Sequence, residues 1–307
     1  MTIPELCARK RLGRKIVMAT AYDALQAEYA EEAGIDIVLV GDSAANVVHG
    51  HETTLPITMD EMIAHTRAAS RGRRRALLVG DMPFLSYQVS IPEAIRNAGR
   101  FLKEGFADAV KLEGGAEIAP TVRALVDAAI PVMGHVGLTP QSVHRFGGYK
   151  VQGRDAGRAG EILEGARRLE AAGAFAVVLE CVPRELAALV TSALSIPTIG
   201  IGAGPDCDGQ VLVFHDLLGL TRNKPPRFVK RYAELGQAAV EALRRFRREV
   251  EEGIFPGPEH GYGMEGAELT KLKDGLLADR GFLGSSGAVP VRVDREVCGP
   301  TPGEDEA

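Results

Sequence analysis

The segment Asp108-Ala-Val-Lys-Leu-Glu-Gly-Gly115 has the pattern of a short buried strand that ends in glycines. Successive side chains of a strand point to opposite faces, so Val110 and Leu112 share one face while Lys111 and Glu113 share the other. An unpaired ion is costly to bury in a protein core. The two charged residues therefore form either a structural ion pair at the strand end or part of a site for an anion or a metal. This segment alone leaves both interpretations open.

Seven further apolar segments alternate along the chain with longer helical patterns. Their nearly unbroken apolar composition is typical of parallel strands that are covered on both faces. The eight predicted strands are Lys15–Ala21, Asp36–Gly41, Ala76–Gly80, Asp108–Glu113, Pro131–His135, Ala176–Glu180, Thr198–Gly202 and Gln210–Phe214. Alternating strands and helices over about 250 residues predict a TIM (β/α)8 barrel. A doubly wound parallel sheet is the alternative.

The C-terminal part of the chain changes character. The helical pattern from Phe228 to Glu252 has apolar residues at spacings of three and four, which predicts one face packed on a core. Periodicity is lost beyond Pro256, and the last eight residues are acidic and contain proline. We therefore expect residues 1–262 to form a single catalytic barrel domain and residues 263–307 to form a poorly ordered C-terminal tail.

The composition argues against several classes of protein. A net charge of -5 over 307 residues gives no electrostatic reason to bind nucleic acid or an anionic membrane. The dense basic run Arg71-Gly-Arg-Arg-Arg75 is best explained as a solvated helix end. The sequence contains neither an apolar run of membrane-spanning length nor the apolar region of a signal peptide. Its four cysteines lie far apart without C-x-x-C spacing, which argues against a thiolate zinc site and favours a cytoplasmic location.

Polar residues follow nearly every predicted strand. In a TIM barrel the active site lies at the C-terminal ends of the strands, so these side chains would meet at one mouth. They are Tyr22-Asp23, Asp42-Ser43, Asp81, Glu113, His135, Glu180 and His215-Asp216. The sequence therefore predicts a small-molecule site at this end of the barrel.

Three of these residues, Asp42, Asp81 and Glu113, form a set of carboxylates. Three like charges that converge without a cation repel one another, and oxygen donors favour Mg²⁺ or a similar ion over zinc. Each aspartate alone could instead be the N-cap of the helix that follows it. That alternative does not explain Glu113, because this residue lies on the strand itself.

Glu180 is in phase with Ala176 and Val178 and should point into the barrel. A carboxylate in an apolar mouth is suited to act as a general base, although a buried, hydrogen-bonded glutamate is an equal alternative. The pair His49-Gly-His51 has the spacing of zinc ligands, but it lies in a loop away from any strand end. Ile199–Gly204 is glycine-rich like a phosphate-binding loop, and close backbone packing explains it equally well. The long glycine-rich segment 134–153 is typical of a mobile lid.

Taken together, the motifs resemble those of the ketopantoate hydroxymethyltransferase (3-methyl-2-oxobutanoate hydroxymethyltransferase) family. The matching segments run in order over about Lys15 to Tyr262. They are Thr20-Ala-Tyr-Asp23, Gly41-Asp-Ser43, Thr53-Thr-Leu-Pro56, Gly80-Asp-Met-Pro-Phe84, Val110-Lys-Leu-Glu-Gly-Gly115, Gly134-His-Val-Gly-Leu-Thr-Pro-Gln141, Leu179-Glu-Cys-Val-Pro183, Ile199–Gly204 and Cys207-Asp-Gly-Gln-Val-Leu-Val213.

The resemblance implies a TIM barrel of the phosphoenolpyruvate/pyruvate-binding type that assembles as a homo-oligomer, often a decamer. It implies an enzyme that moves a hydroxymethyl group from 5,10-methylenetetrahydrofolate to 3-methyl-2-oxobutanoate. The product would be 2-dehydropantoate, which leads to pantothenate and coenzyme A.

The resemblance also assigns roles to individual residues. One Mg²⁺ per subunit would be bound by Asp42, Asp81 and Glu113. Glu180 would be the base that removes the C3 proton, and His135 would either relay protons or shape the site. The keto acid would be held by Asp42, Ser43, Asp81 and Lys111.

Two other functions use the same residues. A Mg²⁺-dependent keto-acid lyase or mutase on the same barrel would differ in that its turnover needs no tetrahydrofolate. A non-catalytic barrel that binds a keto acid as a sensor would be expected to lack Glu180 or a metal ligand, and all of these residues are present.

Overall fold

A computed structural model of the chain describes residues 1–222 and 225–282. Eight parallel strands close into a barrel in sequence order, with the last paired to the first. The strands are β1 (Ile16–Thr20), β2 (Ile37–Val40), β3 (Leu77–Asp81), β4 (Ala109–Glu113), β5 (Val132–Gly137), β6 (Ala176–Glu180), β7 (Thr198–Ile201) and β8 (Gly209–Leu212). The prediction of an eight-stranded TIM barrel is confirmed.

Helices lie between most successive strands, and others precede β1 or follow β8. They are α1 (Ile3–Arg11), α2 (Ala24–Glu32), α3 (Ala44–Val47), α4 (Met59–Gly72), α5 (Ile91–Lys103), α6 (Ala119–Asp127), α7 (Val143–Phe146), α8 (Ala156–Ala171), α9 (Arg184–Ala193), α10 (Phe214–Leu217), α11 (Leu235–Glu251) and α12 (Gly266–Phe282). Short 3-10 turns span Ala116–Ile118, Pro140–Ser142 and Pro258–His260. The connection from β7 to β8 is a short loop, residues 202–208. No helix in the described part of the chain is long and apolar enough to cross a membrane.

The alternation of strand side chains separates two apolar layers. Val110 and Leu112 of β4 belong to the outer layer, between the strands and the surrounding helices. Ala109 belongs to the inner layer, inside the barrel, together with residues such as Leu39, Val79, Met133 and Val178. Lys111 and Glu113 follow Ala109 at intervals of two, so they continue the inner layer toward the barrel mouth. The fold thereby fixes which strand-end side chains face the site.

Helix α11 differs from its prediction in extent and in environment. It begins at Leu235, and the described residues between Phe228 and Glu234 are not helical. None of its side chains is buried, and Leu243, Phe246 and Val250 are 66%, 52% and 47% exposed. The prediction that this stripe packs on a core is therefore wrong. Its period identifies an apolar face, but not whether anything covers that face.

The described residues form two compact units, which divide after Ala242. The first contains the barrel, and the second begins within α11. Within the predicted tail, Gly266–Phe282 forms α12, whose described side chains are exposed. Good helix formers without an apolar stripe explain why a search for periodicity missed this helix. The rest of the tail, 283–307, lies outside the described residues, and the boundary at 262 stays a prediction.

Glu31, near the C-terminal end of α2, ties this helix to the segment that enters β3. The buried carboxylate accepts hydrogen bonds from the backbone N–H groups of Arg74 (3.1 Å), Arg75 (3.0 Å) and Ala76 (3.0 Å). Burial opposes ionisation, but these donors and the Arg75 guanidinium outweigh it and lower the pKa of Glu31 to about 2. The carboxylate therefore stabilises the fold in its charged form.

Glu31→Gln should lower the free energy of unfolding at neutral pH by about 1–3 kcal/mol, because one carboxylate oxygen becomes an amide without a partner. A pKa that folding lowers from 4.5 to about 2 gives stability that is complete above the higher value and is lost as the pH falls toward the lower one. Urea unfolding of the wild type and of Glu31→Gln should therefore show a difference in the free energy of unfolding that becomes smaller as the pH is lowered. Glu32→Gln, at the exposed neighbouring position, is the control. Equal effects of the two substitutions would contradict this role.

Candidate active site

A cavity of about 500 Å³ opens at the C-terminal mouth of the barrel. All seven site residues predicted from the sequence line it: Asp42, Ser43, Asp81, Lys111, Glu113, His135 and Glu180. Much of the remaining wall is apolar and includes Leu39, Val178, Ile201 and Val211. A concave site with apolar walls and a few convergent polar groups is the usual form of a small-molecule site.

Lys111 lies at the centre of the polar cluster. Its Nζ donates a hydrogen bond to Asp81 Oδ1 at 2.7 Å and lies 3.8 Å from Glu113 Oε1 and 3.3 Å from His135 Nδ1. Burial disfavours the charged amine, but the carboxylates of Asp81, Glu113 and Asp42 outweigh it and raise the pKa of Lys111. The two sequence interpretations therefore coincide, because the ion pair is itself part of the cavity wall.

The three carboxylates respond differently to their surroundings. Burial and the charges of Asp81 and Glu113 raise the pKa of Asp42 well above its usual value, and burial also raises the pKa of Asp81. Burial opposes ionisation of Glu113 as well, but its contacts with His135 and Lys111 lower its pKa. Burial and the Lys111 charge disfavour a protonated His135, yet Glu113 and Glu180 outweigh them and raise its pKa to about 9. Negative charge is in excess around Asp42.

This excess of buried negative charge fits a divalent cation, since oxygen donors are the ligands that Mg²⁺ prefers. Across residues 1–222 and 225–282, no group of three acidic, histidine or cysteine side chains is arranged closely enough to bind a metal ion without rearrangement. Two of the carboxylates already have donors, since Lys111 bonds to Asp81 Oδ1 and the amide of Gln141 bonds to Asp42 Oδ2. A cation would compete with Lys111 for Asp81, whereas the bond from Gln141 uses only one of the two oxygens of Asp42, so the other can face a cation.

Gln141 connects the carboxylates, although the sequence pattern predicts no role for it. Its Nε2 donates to Asp42 Oδ2 and to the carbonyl of Met82, both at 3.0 Å, and its backbone N–H donates to Glu113 Oε2 at 3.0 Å. The hydroxyl of Tyr87 lies 2.9 Å from Gln141 Oε1. Gln141 ends one of the recognised motifs, which is a signal for it, whereas Tyr87 lies in an irregular segment without one.

Glu180 ends β6 and faces the cavity, with 17% of its side chain exposed. Its Oε2 lies 3.2 Å from His135 Nε2, so His135 lies between Glu113 on one side and Glu180 on the other. The next residue, Cys181, has a left-handed backbone with φ of 48°, which is strained for a residue with a side chain. Its N–H bonds to the carbonyl of Ile201 at 2.9 Å, which holds this turn against β7.

Of the remaining sequence candidates, Asp216 lines the cavity and the hydroxyl of Tyr22 lies 2.9 Å from Ser43 Oγ. The others lie outside the cluster or serve the fold. Asp23 caps α2 by accepting a hydrogen bond from Gln26 N. His49 is hydrogen-bonded to His65, with 2.8 Å between the two Nε2 atoms, and it does not line the cavity. A Cβ added at Gly204, where φ is +81°, would lie 2.5 Å from the Cβ of Arg184. Close packing therefore explains this glycine.

Solved structures with similar folds are TIM-barrel enzymes. A phosphonopyruvate hydrolase in complex with oxalate and Mg²⁺ matches with a TM-score of 0.56 and 15% identity over 92% of this chain and 99% of its own. A 2,3-dimethylmalate lyase of the PEP mutase/isocitrate lyase superfamily matches with a TM-score of 0.54 and 18% identity, with the same coverage. At this level of identity the likeness shows the barrel fold alone.

Sequence comparisons are more specific. The family model described as ketopantoate hydroxymethyltransferase matches residues 1–258. A 3-methyl-2-oxobutanoate hydroxymethyltransferase of Syntrophobacter fumaroxidans is 57% identical over 89% of this chain and 96% of its own length. One of the same name from Moorella thermoacetica is 57% identical over 85% and 97%. The chain therefore belongs to the ketopantoate hydroxymethyltransferase family.

Proposed function

We propose that the protein transfers a hydroxymethyl group from 5,10-methylenetetrahydrofolate to 3-methyl-2-oxobutanoate, giving 2-dehydropantoate for the synthesis of pantothenate and coenzyme A. The observation that carries the proposal is that seven residues chosen for this chemistry line one cavity in a chain of this family. The 57% identity to relatives named for this reaction supports the same acceptor substrate.

The keto acid would lie between the charged and apolar walls of this cavity. Its carboxylate and carbonyl oxygens would face Ser43 and the Lys111 ammonium, which is held in place by Asp81. Its isopropyl group would contact apolar side chains such as Val178 and Val211. Lys111 brings a fixed positive charge to the oxygens where negative charge collects during the reaction.

The excess negative charge supports one Mg²⁺ per subunit, held by Asp42, Asp81 and Glu113. When bound, the ion supplies Lewis acidity that stabilises negative charge on the carbonyl oxygen of the keto acid. Gln141 bonds to Asp42 and Glu113 and would keep both carboxylates directed at the ion.

Glu180 would remove the proton from C3 of the keto acid. His135 lies 3.5 Å from Glu113 and 3.2 Å from Glu180 and would orient the base toward the substrate. The one-carbon unit of the donor then forms a C–C bond to the carbon nucleophile and takes its hydroxyl oxygen from water. Both of its C–N bonds to the folate break, and the protons from C3 and from water end on the two folate nitrogens as tetrahydrofolate leaves. The apolar walls limit the access of water to the nucleophile before the donor reaches it.

Family resemblance also supports a cytoplasmic homo-oligomer, with a decamer as the expected form. Light scattering on the full chain would measure its mass. A monomer at micromolar concentration would contradict this part of the proposal.

Turnover should depend on a divalent cation. Chelator-treated protein should lose activity and recover it with Mg²⁺ or Co²⁺, because the carboxylates outnumber the cationic side chains around them. Asp81→Ala should weaken the binding of both metal and keto acid, as measured by calorimetry. Asp206→Ala, an exposed aspartate in the loop between β7 and β8, is the matched control. Full turnover after rigorous removal of metal would contradict the assignment.

The proton step can be isolated by omitting folate. With Mg²⁺ and 3-methyl-2-oxobutanoate in deuterated water, the wild type should exchange the C3 hydrogen, because proton removal precedes transfer. Glu180→Gln should slow this exchange by about 10²–10⁴-fold and leave keto-acid affinity nearly unchanged, since the amide keeps the shape but cannot accept the proton. Glu185→Gln, at an exposed position on α9, should exchange like the wild type. Wild-type exchange in Glu180→Gln would exclude Glu180 as the base.

Gln141→Met should lower metal affinity by about 10–100-fold, the usual effect of removing a group that orients a metal ligand. Methionine has a similar length but offers no N–H to Asp42 and no oxygen to Tyr87. Calorimetry with the metal alone measures the effect. Gln237→Met, at an exposed position on α11, is the control, and equal affinities in the two variants would argue against an orienting role.

A further inference from the structure

A second cavity of about 620 Å³ adjoins the reaction cavity, and neither the proposed chemistry nor the family comparison assigns it a role. Lys150 and Val151 line both cavities, so this segment of the chain lies between the two. The walls come from the turns after β4 and β5 and from the start of α8. The second cavity is thus placed to take a part of a molecule whose other end lies in the reaction cavity.

The charges of the second cavity favour an anion. Three basic side chains line it, Arg145, Lys150 and Arg158, against two acidic ones, Glu117 and Glu161. Arg158 lies 3.7 Å from Asp155, a residue outside the lining, and Glu117 accepts a hydrogen bond from the backbone of Gly115. Among the described residues, none forms a hydrogen bond or an ion pair with the side-chain nitrogens of Arg145 or Lys150, and Gln152 Nε2 donates to the backbone carbonyl of Lys150 at 2.9 Å. These two cations are therefore available to a ligand.

The backbone holds Lys150 at the junction of the cavities. Gly147 and Gly148 before it have φ of +62° and +111°, and Gly153 after it has φ of +76°. Gln152 is buried, and its N–H bonds to the carbonyl of Cys181 at 2.9 Å, directly beside the base Glu180. The loop thus returns to the reaction site immediately after it has placed Lys150 and Val151 between the two cavities.

The keto acid alone does not account for these cations. It is a small molecule with a single carboxylate, and Lys111 and the carboxylate cluster already surround the place where it would lie. The folate donor is longer, with a bicyclic pterin that carries the reacting carbon near one end and a glutamate with two carboxylates at the other. Tyr149 and Phe228 line the reaction cavity and offer aromatic surfaces for the pterin.

We infer that the second cavity binds the glutamate end of the folate donor, with its carboxylates at Arg145 and Lys150. This inference rests on the proposed function. Val151 lies where the donor passes from one cavity to the other, and the hydroxyls of Thr139 and Ser142 in the lining offer further polar contacts. Binding at this position directs the reacting end of the donor at the nucleophile that Glu180 generates.

The test compares a probe that ends in glutamate, with two carboxylates, with a probe that ends in the single carboxylate of its benzoate. Tetrahydrofolate carries the glutamate and tetrahydropteroate lacks it, and calorimetry with the keto acid and Mg²⁺ present measures the affinity of each. The wild type should prefer tetrahydrofolate. Arg145→Ala should lose about tenfold of that preference, the usual contribution of one charge-assisted hydrogen bond, and leave tetrahydropteroate affinity unchanged. Arg145→Lys should recover part of the preference, and Lys150→Ala should show a loss of similar size.

Arg154→Ala is the matched control, because Arg154 is an exposed cation of the same loop that lines neither cavity. It should keep the full preference. The preference of the wild type should also fall with added salt, and that of Arg145→Ala should fall less. Keto-acid affinity, measured in the same variants, reports whether the reaction cavity is intact.

Three results would overturn the inference. An unchanged preference for tetrahydrofolate in Arg145→Ala and Lys150→Ala would exclude the second cavity as the glutamate site. An equal loss of this preference in Arg154→Ala would show that the preference depends only on the overall charge of the loop. A wild type that exchanges the C3 hydrogen but neither binds tetrahydrofolate nor turns over with its methylene derivative would refute the proposed donor itself, and with it the inference.

Discussion

The ammonium of Lys111 must find its partners inside the barrel, because a buried charge without them would cost far more than a domain can supply. Asp81 is directly opposite Lys111 in the register of β3 with β4, and His135 is opposite Glu113 in the register of β4 with β5. A shift of either pair by one residue would turn these side chains to the helix-facing side. The ion pair and the strand register therefore specify each other.

The same cluster makes the site expensive to maintain. A buried ion pair adds little net stability after desolvation is included, and the additional carboxylates of Asp42 and Glu113 repel each other. The apolar layers on both sides of the sheet have to compensate for this cost. Hydrogen bonds from Gln141 to both carboxylates reduce it without adding charge. Natural active sites commonly trade stability for such groups.

The strands and the site residues could be predicted because they depend on a local pattern. Parallel strands buried on both faces are continuous apolar segments. A polar residue at the C-terminal end of such a segment usually lies at the barrel mouth. Asp42, Asp81, Lys111 and Glu180 were found in this way. Gln141 and Tyr87 were not assigned a role, because their contacts join segments that are distant in sequence.

Two further features lay beyond the reach of local patterns. The apolar stripe of α11 predicts a core contact, but periodicity shows only that one face of a helix is apolar. Its described side chains are exposed. Conversely, α12 contains good helix formers but no apolar stripe. Its residues form a helix because of their helix propensity, and a pattern of apolar spacing does not predict it. Burial depends on neighbours that the sequence of a segment does not contain.

The inner apolar layer determines how far inside the barrel the site residues lie. Val79, Ala109, Met133 and Val178 are buried inside the barrel. Each lies two residues before a charged or titratable group of the site, namely Asp81, Lys111, His135 and Glu180. Because side chains two apart on a strand share a face, the site is the next layer of the same packed stack. A rigid apolar layer beneath these groups limits their movement toward the centre of the barrel. The relative positions of the charged cluster around Lys111 and of Glu180 are therefore set by core packing, and the loops above need only bring in substrate and donor.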